Sequence, residues 1–259
     1  MNYEDRVVCF IDILGFKSHV SSTVDQHNKE VVAETERLMS AFNIIKGVDC
    51  FSDDGKTTKK VTQFSDCLVV SFEHSEESEV FWTLYEIQLL LIELVNYGIL
   101  CRGAVTFGKL VHTDDVVFGP ALVDAYILES KAANYPRVLI DNSILSVAKK
   151  YHGSHHSPED EVDSIERCTM VDSDGMRHID YIVDVVGEFD DLEYDYVIFL
   201  GKLRELIQKH LDSPKPDIRV KYSWLKEKYN EAVGYQHTVA NRFSDPDLAE
   251  SFLSLSLLS

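Results

Sequence analysis

Basic residues are scarce beside acidic ones: 25 Lys and Arg stand against 44 Asp and Glu, a formal charge of -19. A field of that sign repels polyanions, so neither nucleic acid nor a membrane surface is the expected partner. A nucleoside triphosphate stays admissible, because bound cations can neutralise its phosphates. Long apolar runs are missing too. The longest, 89–95, contains Glu93 and falls well short of the roughly 20 residues a bilayer requires. No basic start leads into an apolar segment at the acidic N-terminus, and a cytoplasmic protein is expected. The five cysteines, Cys9, Cys50, Cys67, Cys101 and Cys168, form neither a C-x-x-C pair nor a zinc spacing, so reduced, mostly buried thiols are expected. What is present suffices for a packed core: 259 residues, 45% of them hydrophobic.

Apolar periodicity predicts a buried strand over 6–13 that Gly15 ends, a helix within 24–45, and two strands, 60–64 and 67–72, flanking Ser65 and Asp66. A helix over 76–97 stops at Gly98, where a left-handed cap is expected. A strand over 100–107 follows, with Gly108 read as a turn, then a short strand or loop at 116–119, a helix over 121–134 and a strand over 137–140. This order fits an α+β sheet with helices on one face, in ferredoxin-like topology. The His152–Glu161 stretch reads as an exposed loop, its three histidines as solvated residues rather than a metal site, and 176–186 as a returning strand. Two helices, within 190–211 and 217–236, form a C-terminal extension, so the expected division is 1–186 and 187–259.

Chemistry on a triphosphate needs a hard cation, and carboxylates are its usual protein ligands. Asp12 at a strand end and Asp66 in a hairpin turn are the candidates. Each taken singly also fits an aspartate that merely bonds local backbone.

Their surroundings add a family resemblance. Phe10-Ile11-Asp12-Ile13-Leu14-Gly15-Phe16 resembles the F-x-D-I-x-G-F signature of class III nucleotidyl cyclases, and Gln63-Phe64-Ser65-Asp66-Cys67 is similar to that family's second metal motif. Arg102-Gly103-Ala104-Val105-Thr106-Phe107-Gly108 resembles the strand R-x-G-I-x-x-G, with Ala104 and Val105 in place of Gly-Ile, and Phe118-Gly119 and Ala125 match the next block. The resemblance spans about residues 6–185. It implies a nucleotidyl cyclase catalytic domain in which Asp12, the Ile13 carbonyl and Asp66 bind two divalent metal ions, Mn2+ or Mg2+. It also implies a head-to-tail homodimer with composite active sites; Leu122, Ala125 and Leu128 need apolar partners, within the chain or between chains.

Departures from the purine cyclases accompany it. Thr62 stands where those enzymes carry a purine-reading Lys, and Val123 and Ile127 where they carry a transition-state Asn and Arg. The segments 102–108, 117–130 and 135–138 look like the pyrimidine cyclases of bacterial Pycsar antiphage systems. That resemblance implies conversion of UTP, or of CTP, to the cyclic nucleotide, read by a separate effector protein. Arg102 is the candidate to contact substrate in place of the missing helix Arg, unless it is only a solvated charge. Phe10 is a candidate near sugar or base, or else core. Tyr126 is expected to pack, Arg137 to bind phosphate or form a surface ion pair, and Thr62 or the Phe51-Ser52 region to read the base. A non-catalytic nucleotide-sensing protein of the same fold, and a plain α+β interaction module, are the alternatives.

Overall fold

The computed structural model describes residues 2–47, 57–242 and 245–259. They divide into two compact units, Met1–Ile179 and Asp180–Ser259.

In the first unit, strand β1 (Glu4–Ile13) is followed by helices α1 (Phe16–Ser22) and α2 (Val32–Gly47). The hairpin β2 (Lys60–Phe64) and β3 (Cys67–Glu73), helix α3 (Glu79–Asn96) and the long strand β4 (Cys101–His112) come next. The sheet runs β2-β3-β1-β4, every pair antiparallel. With α2 and α3 as the connecting helices, this is the ferredoxin-like βαββαβ order. A short strand β5 (Val117–Phe118) folds back on β4 and leads into helix α4 (Pro120–Ala132). Strand β6 (Val138–Ile140) then extends the sheet parallel to β4, and beyond helices α5 (Ser143–Lys150) and α6 (Pro158–Arg167) the hairpin β7 (Thr169–Val171) and β8 (Arg177–Ile179) completes its edge.

Val7 to Ile11 are all buried because β1 is an inner strand covered on both faces, so its sequence is continuously apolar rather than alternating. Side chains of odd-numbered β1 residues meet α2 and α3: Ile11, Ile13, Leu68 and Cys101 line a small cavity with Ile45, Leu90 and Leu94. Even-numbered ones meet α4: Val8, Phe10, Val69 and Ala104 pack with Ala121 and Ala125. Helices thus cover both faces, which corrects the one-face expectation; the additional layer is α4.

Gly108 is no turn. It continues β4, paired with Arg6, and a Cβ built there would lie 3.4 Å from that of Ala121, so a glycine lets α4 sit close on the sheet. Gly98 does cap α3: φ is 64°, and the N–H groups of Gly98 and Ile99 donate to the carbonyls of Val95 (2.9 Å) and Leu94 (3.0 Å). The expected loop at His152–Glu161 is partly helix. Ser157 and Asp160 form a capping box, each side chain accepting the other's N–H, with Pro158 beginning α6. Glu161 consequently lies buried, accepting from the Ser78 hydroxyl at 2.8 Å.

The second unit holds helices α7 (Val197–Leu211), α8 (Pro216–Val239) and α9 (Pro246–Ser254). Tyr196, Phe199 and Phe252 are buried aromatics of its core, and Asn230 pins the C-terminal chain by exchanging two hydrogen bonds with Leu258. The strand expected over 176–186 stops at Ile179, because the Asp180 carboxylate accepts the N–H groups of Ile182, Val183 and Asp184 and turns the chain. Among the described residues no helix is long and apolar enough to cross a membrane.

Candidate functional site

Strand pairing creates the site. Asp12 is the residue of β1 directly opposite Cys67 of β3 on one side and Arg102 of β4 on the other, so the three side chains form one row on the α4 face. Asp66 joins them through the β2–β3 turn, where Ser65 takes a positive φ of 54°, the backbone a two-residue hairpin demands. The Ile13 N–H donates to the Asp66 carbonyl at 3.0 Å, fastening the turn to the strand end. Since the N–H and C=O of one strand residue point to the same neighbour, the Ile13 carbonyl also faces the turn, while its side chain is buried on the opposite face.

Oxygens of Asp12 and Asp66 and the Cys67 sulfur all lie within 4.8 Å of one another. Cys67 Sγ is 3.7 Å from Asp12 Oδ1, and Arg102 Nε is 3.4 Å from Asp12 Oδ2. The same Arg102 nitrogen forms a close ion pair with Glu129 of α4, whose side chain is only 2% exposed. Glu129 escaped the sequence reading. Its signal was the four-residue spacing Ala121, Ala125, Glu129, which puts it on the stripe of α4 that faces the sheet.

Charge is unbalanced here, with three carboxylates around one guanidinium. Burial raises the Asp12 carboxyl above its ordinary value; Arg102 opposes the shift and the Asp66 charge adds to it. Burial likewise raises Glu129, against Arg102 and with Asp12. The Cys67 thiol is pushed up to about 12 by burial and then by the charges of Asp12 and Asp66. A divalent cation bound there would supply the missing positive charge, and carboxylate oxygens are donors of the kind that fit one.

Other expected residues fall out differently. Phe10 is 6% exposed and belongs to the core under α4, its ring edge against Tyr126 at 5.9 Å between centroids. Tyr126, expected to pack, is instead 56% exposed. The structure exchanges their environments, because Phe10 shares strand parity with Val8 whereas Tyr126 lies off the Ala121-Ala125 stripe. Arg137 is wholly buried and paired with Asp172 and Asp174, each at 2.5 Å; the ion pair is internal, and no surface charge remains for phosphate. Ala125 is buried, and Leu122 and Leu128 pack beside it within the chain. The exposed apolar residues of α4 are Val123, Tyr126 and Ile127.

Thr62 Oγ1 is 2.8 Å from His112 Nε2, and His112 Nδ1 is 2.7 Å from Ser71 Oγ, which accepts from Arg6 Nε at 2.9 Å. His112 is held down to about 4 by burial and by the charges of Arg6 and Lys60, so the imidazole in this run is neutral at physiological pH. Phe51 and Ser52 lie outside the described residues.

No protein-family model and no curated protein matches the sequence. Similar solved structures include the adenylyl cyclase CyaB from P. aeruginosa, 16% identical over 57% of this chain and 82% of that one, with a TM-score of 0.43. A bacterial light-regulated adenylyl cyclase is 16% identical over 56% of this chain and 45% of that one, with a TM-score of 0.41. A class III adenylyl cyclase-like ATP-binding protein from Pseudomonas aeruginosa is 11% identical over 94% of this chain and 73% of that one, with a TM-score of 0.37.

Proposed function

We propose that the first unit is a nucleotide cyclase of the class III kind that converts UTP to 3′,5′-cyclic UMP and pyrophosphate. The single observation that carries this reading is the convergence of Asp12 and Asp66, the two aspartates of separate cyclase-like motifs, at one strand end and turn with Arg102 in the same row. In the reaction the ribose 3′-hydroxyl loses its proton and its oxygen bonds to the α-phosphorus, while the bond to the β-phosphate oxygen breaks and pyrophosphate leaves.

Asp12 and Asp66, with the Ile13 carbonyl, hold Mn2+ or Mg2+ at the triphosphate. Such cations, when bound, neutralise the phosphates and polarise the reacting oxygens. Arg102 is the substrate-facing cation in this reading. Its guanidinium is kept in the site by Glu129 and Asp12, and a cation held by Asp12 would compete for that carboxylate and leave more of the guanidinium's donor set for a phosphate oxygen. Phe10 forms the floor under Tyr126, and the exposed Tyr126 is the aromatic of that pair better placed to meet a ligand. A homodimer joined through Val123, Tyr126 and Ile127, cytoplasmic placement, and service as the messenger synthase of an antiphage system with a separate effector complete the proposal.

Purified protein incubated with the four ribonucleoside triphosphates and Mn2+ is expected to yield cyclic UMP by mass spectrometry, and Asp66→Ala and Asp12→Ala to yield none. Cyclic CMP in its place would make the enzyme a cytidylate cyclase. A second reading, a non-catalytic nucleotide sensor, is favoured by the engagement of Arg102 with Glu129 and by the apolar Val123 and Ile127 on α4. It predicts a nucleotide-dependent rise in melting temperature without any cyclic product.

A further inference from the structure

Four polar side chains form a hydrogen-bonded run on the sheet face that carries the site, and matching donors to acceptors gives the run a direction. We propose that Arg6, Ser71 and His112 are positioning residues that hold the Thr62 hydroxyl as a hydrogen-bond donor. Thr62 is thereby the specificity-determining residue for the base, and it selects the C4 carbonyl of uracil over the C4 amino group of cytosine. The assignment rests on the nucleotide reading above.

The run begins at a fixed donor. Arg6 Nε can only donate, and the Ser71 hydroxyl oxygen accepts from it at 2.9 Å. Ser71 is fully buried, and among the described residues the one acceptor within reach of its own proton is His112 Nδ1 at 2.7 Å. The neutral His112 imidazole carries one N–H and one bare nitrogen. Were Nδ1 the N–H, the Ser71 oxygen would receive two donors and its buried proton would have no acceptor, an arrangement that folded proteins avoid. The imidazole proton therefore sits on Nε2, which donates to Thr62 Oγ1 at 2.8 Å. Among the described residues nothing accepts the proton of Thr62 itself, and Thr62, unlike the other three, is only half-buried. Thr62 stands opposite Val69 of β3, which packs with Phe10 beneath α4, so its side chain projects from the same sheet face as Cys67, Asp12 and Arg102. It lies two residues along and one strand across from Cys67, about 8 Å away, a distance of the order that separates the α-phosphate of a nucleotide from the far edge of its pyrimidine. Uracil O4 accepts the Thr62 proton, whereas the cytosine amino group sets a second donor against it.

The tautomer is read directly by 1H–15N NMR on the full chain labelled at the histidine nitrogens, with the His112 signals identified as those lost in His112→Gln. A protonated Nε2 and a bare Nδ1 are expected; the reverse overturns the proposal whether or not the protein is an enzyme. Binding is read by calorimetry with Mn2+ and the α,β-methylene analogues of UTP and CTP, whose P–C link replaces the bond that cyclisation would break. The parent protein is expected to bind the uridine analogue at least about tenfold more tightly, the difference between one hydrogen bond made and one left unmade. Thr62→Val is expected to weaken the uridine analogue until the two affinities agree within about threefold, and Thr62→Ser to keep the preference. Thr62→Ala serves if the valine variant does not fold. A merely structural role would weaken both analogues alike. An undiminished ratio in the folded valine variant, equal affinities in the parent protein, or a preference for the cytidine analogue therefore overturns the proposal. Binding of neither analogue overturns it together with the nucleotide reading, whereas the expected ratio without any cyclic product from UTP sinks the cyclase reading alone.

Discussion

Asp12 is strained electrostatically in the metal-free protein, because burial and Asp66 raise its carboxyl above the ordinary value despite Arg102. A carboxyl with a raised folded pKa contributes stability that is full below its unfolded value of about 3.9 and is lost as pH rises through the folded value. At neutral pH the ionised group therefore costs stability, and Asp12→Asn is expected to raise the melting temperature of the metal-free protein there. That gain should disappear below about pH 4, where the native carboxyl is protonated, and calorimetry across that range checks it. The same variant should lose turnover and most of the stabilisation that Mn2+ gives the parent protein. Unchanged stability at neutral pH would mean that Arg102 fully compensates the charge.

At the scale of elements, close backbone approaches decide what the helices and strands tolerate. A Cβ on Gly103 would stand 2.4 Å from the Phe10 carbonyl oxygen, backbone that has no room to move between β3 and β4. Gly103→Ala is expected to destabilise the protein by about 1–3 kcal/mol, read as a lower urea midpoint at unchanged slope. Ser157→Ala, which removes one half of the α6 capping box, should cost about 1 kcal/mol by the same measurement. Most strands and long helices were legible in the sequence, since an inner strand must be continuously apolar and α3 carries its own stop at Gly98. The short elements were read unevenly. Strands β5, β6 and β8 fall within stretches the sequence suggested, whereas three-residue β7 offers too few positions for a period to show, and α6 lay hidden in a polar stretch whose Ser-Pro-Glu-Asp start was itself the signal. Both candidate aspartates, Asp12 and Asp66, were legible because each sits in a local motif, whereas Glu129 and Arg137 take their environments from partners distant in sequence.

For the molecule as a whole, a charge of -19 opposes the approach of a tetra-anionic nucleotide to the site just described. The association rate of a triphosphate, at fixed free Mn2+, is therefore expected to rise with added monovalent salt until screening is complete, at a Debye length of about 8 Å near physiological ionic strength. Stopped-flow measurement with a fluorescent nucleotide checks this. A rate that falls with salt would mean that a locally positive field around Arg102 outweighs the overall charge. The second unit was only partly legible in the sequence: α7 and α8 declared themselves by period, whereas α9 carries no signal stronger than its Asp245-Pro246 start.

The pairing of β1 has one further effect. Asp12 and the core residues Val8 and Phe10 share one strand parity, and Ile11 and Ile13 the other, so a slip of a single residue would bury the carboxylate among the side chains of α2 and α3 and turn isoleucines toward the ligands. No misregistered chain can keep a partly working site. Preparations of this protein should therefore contain molecules that are either fully competent or silent, and specific activity becomes a direct gauge of how much of the chain has folded correctly.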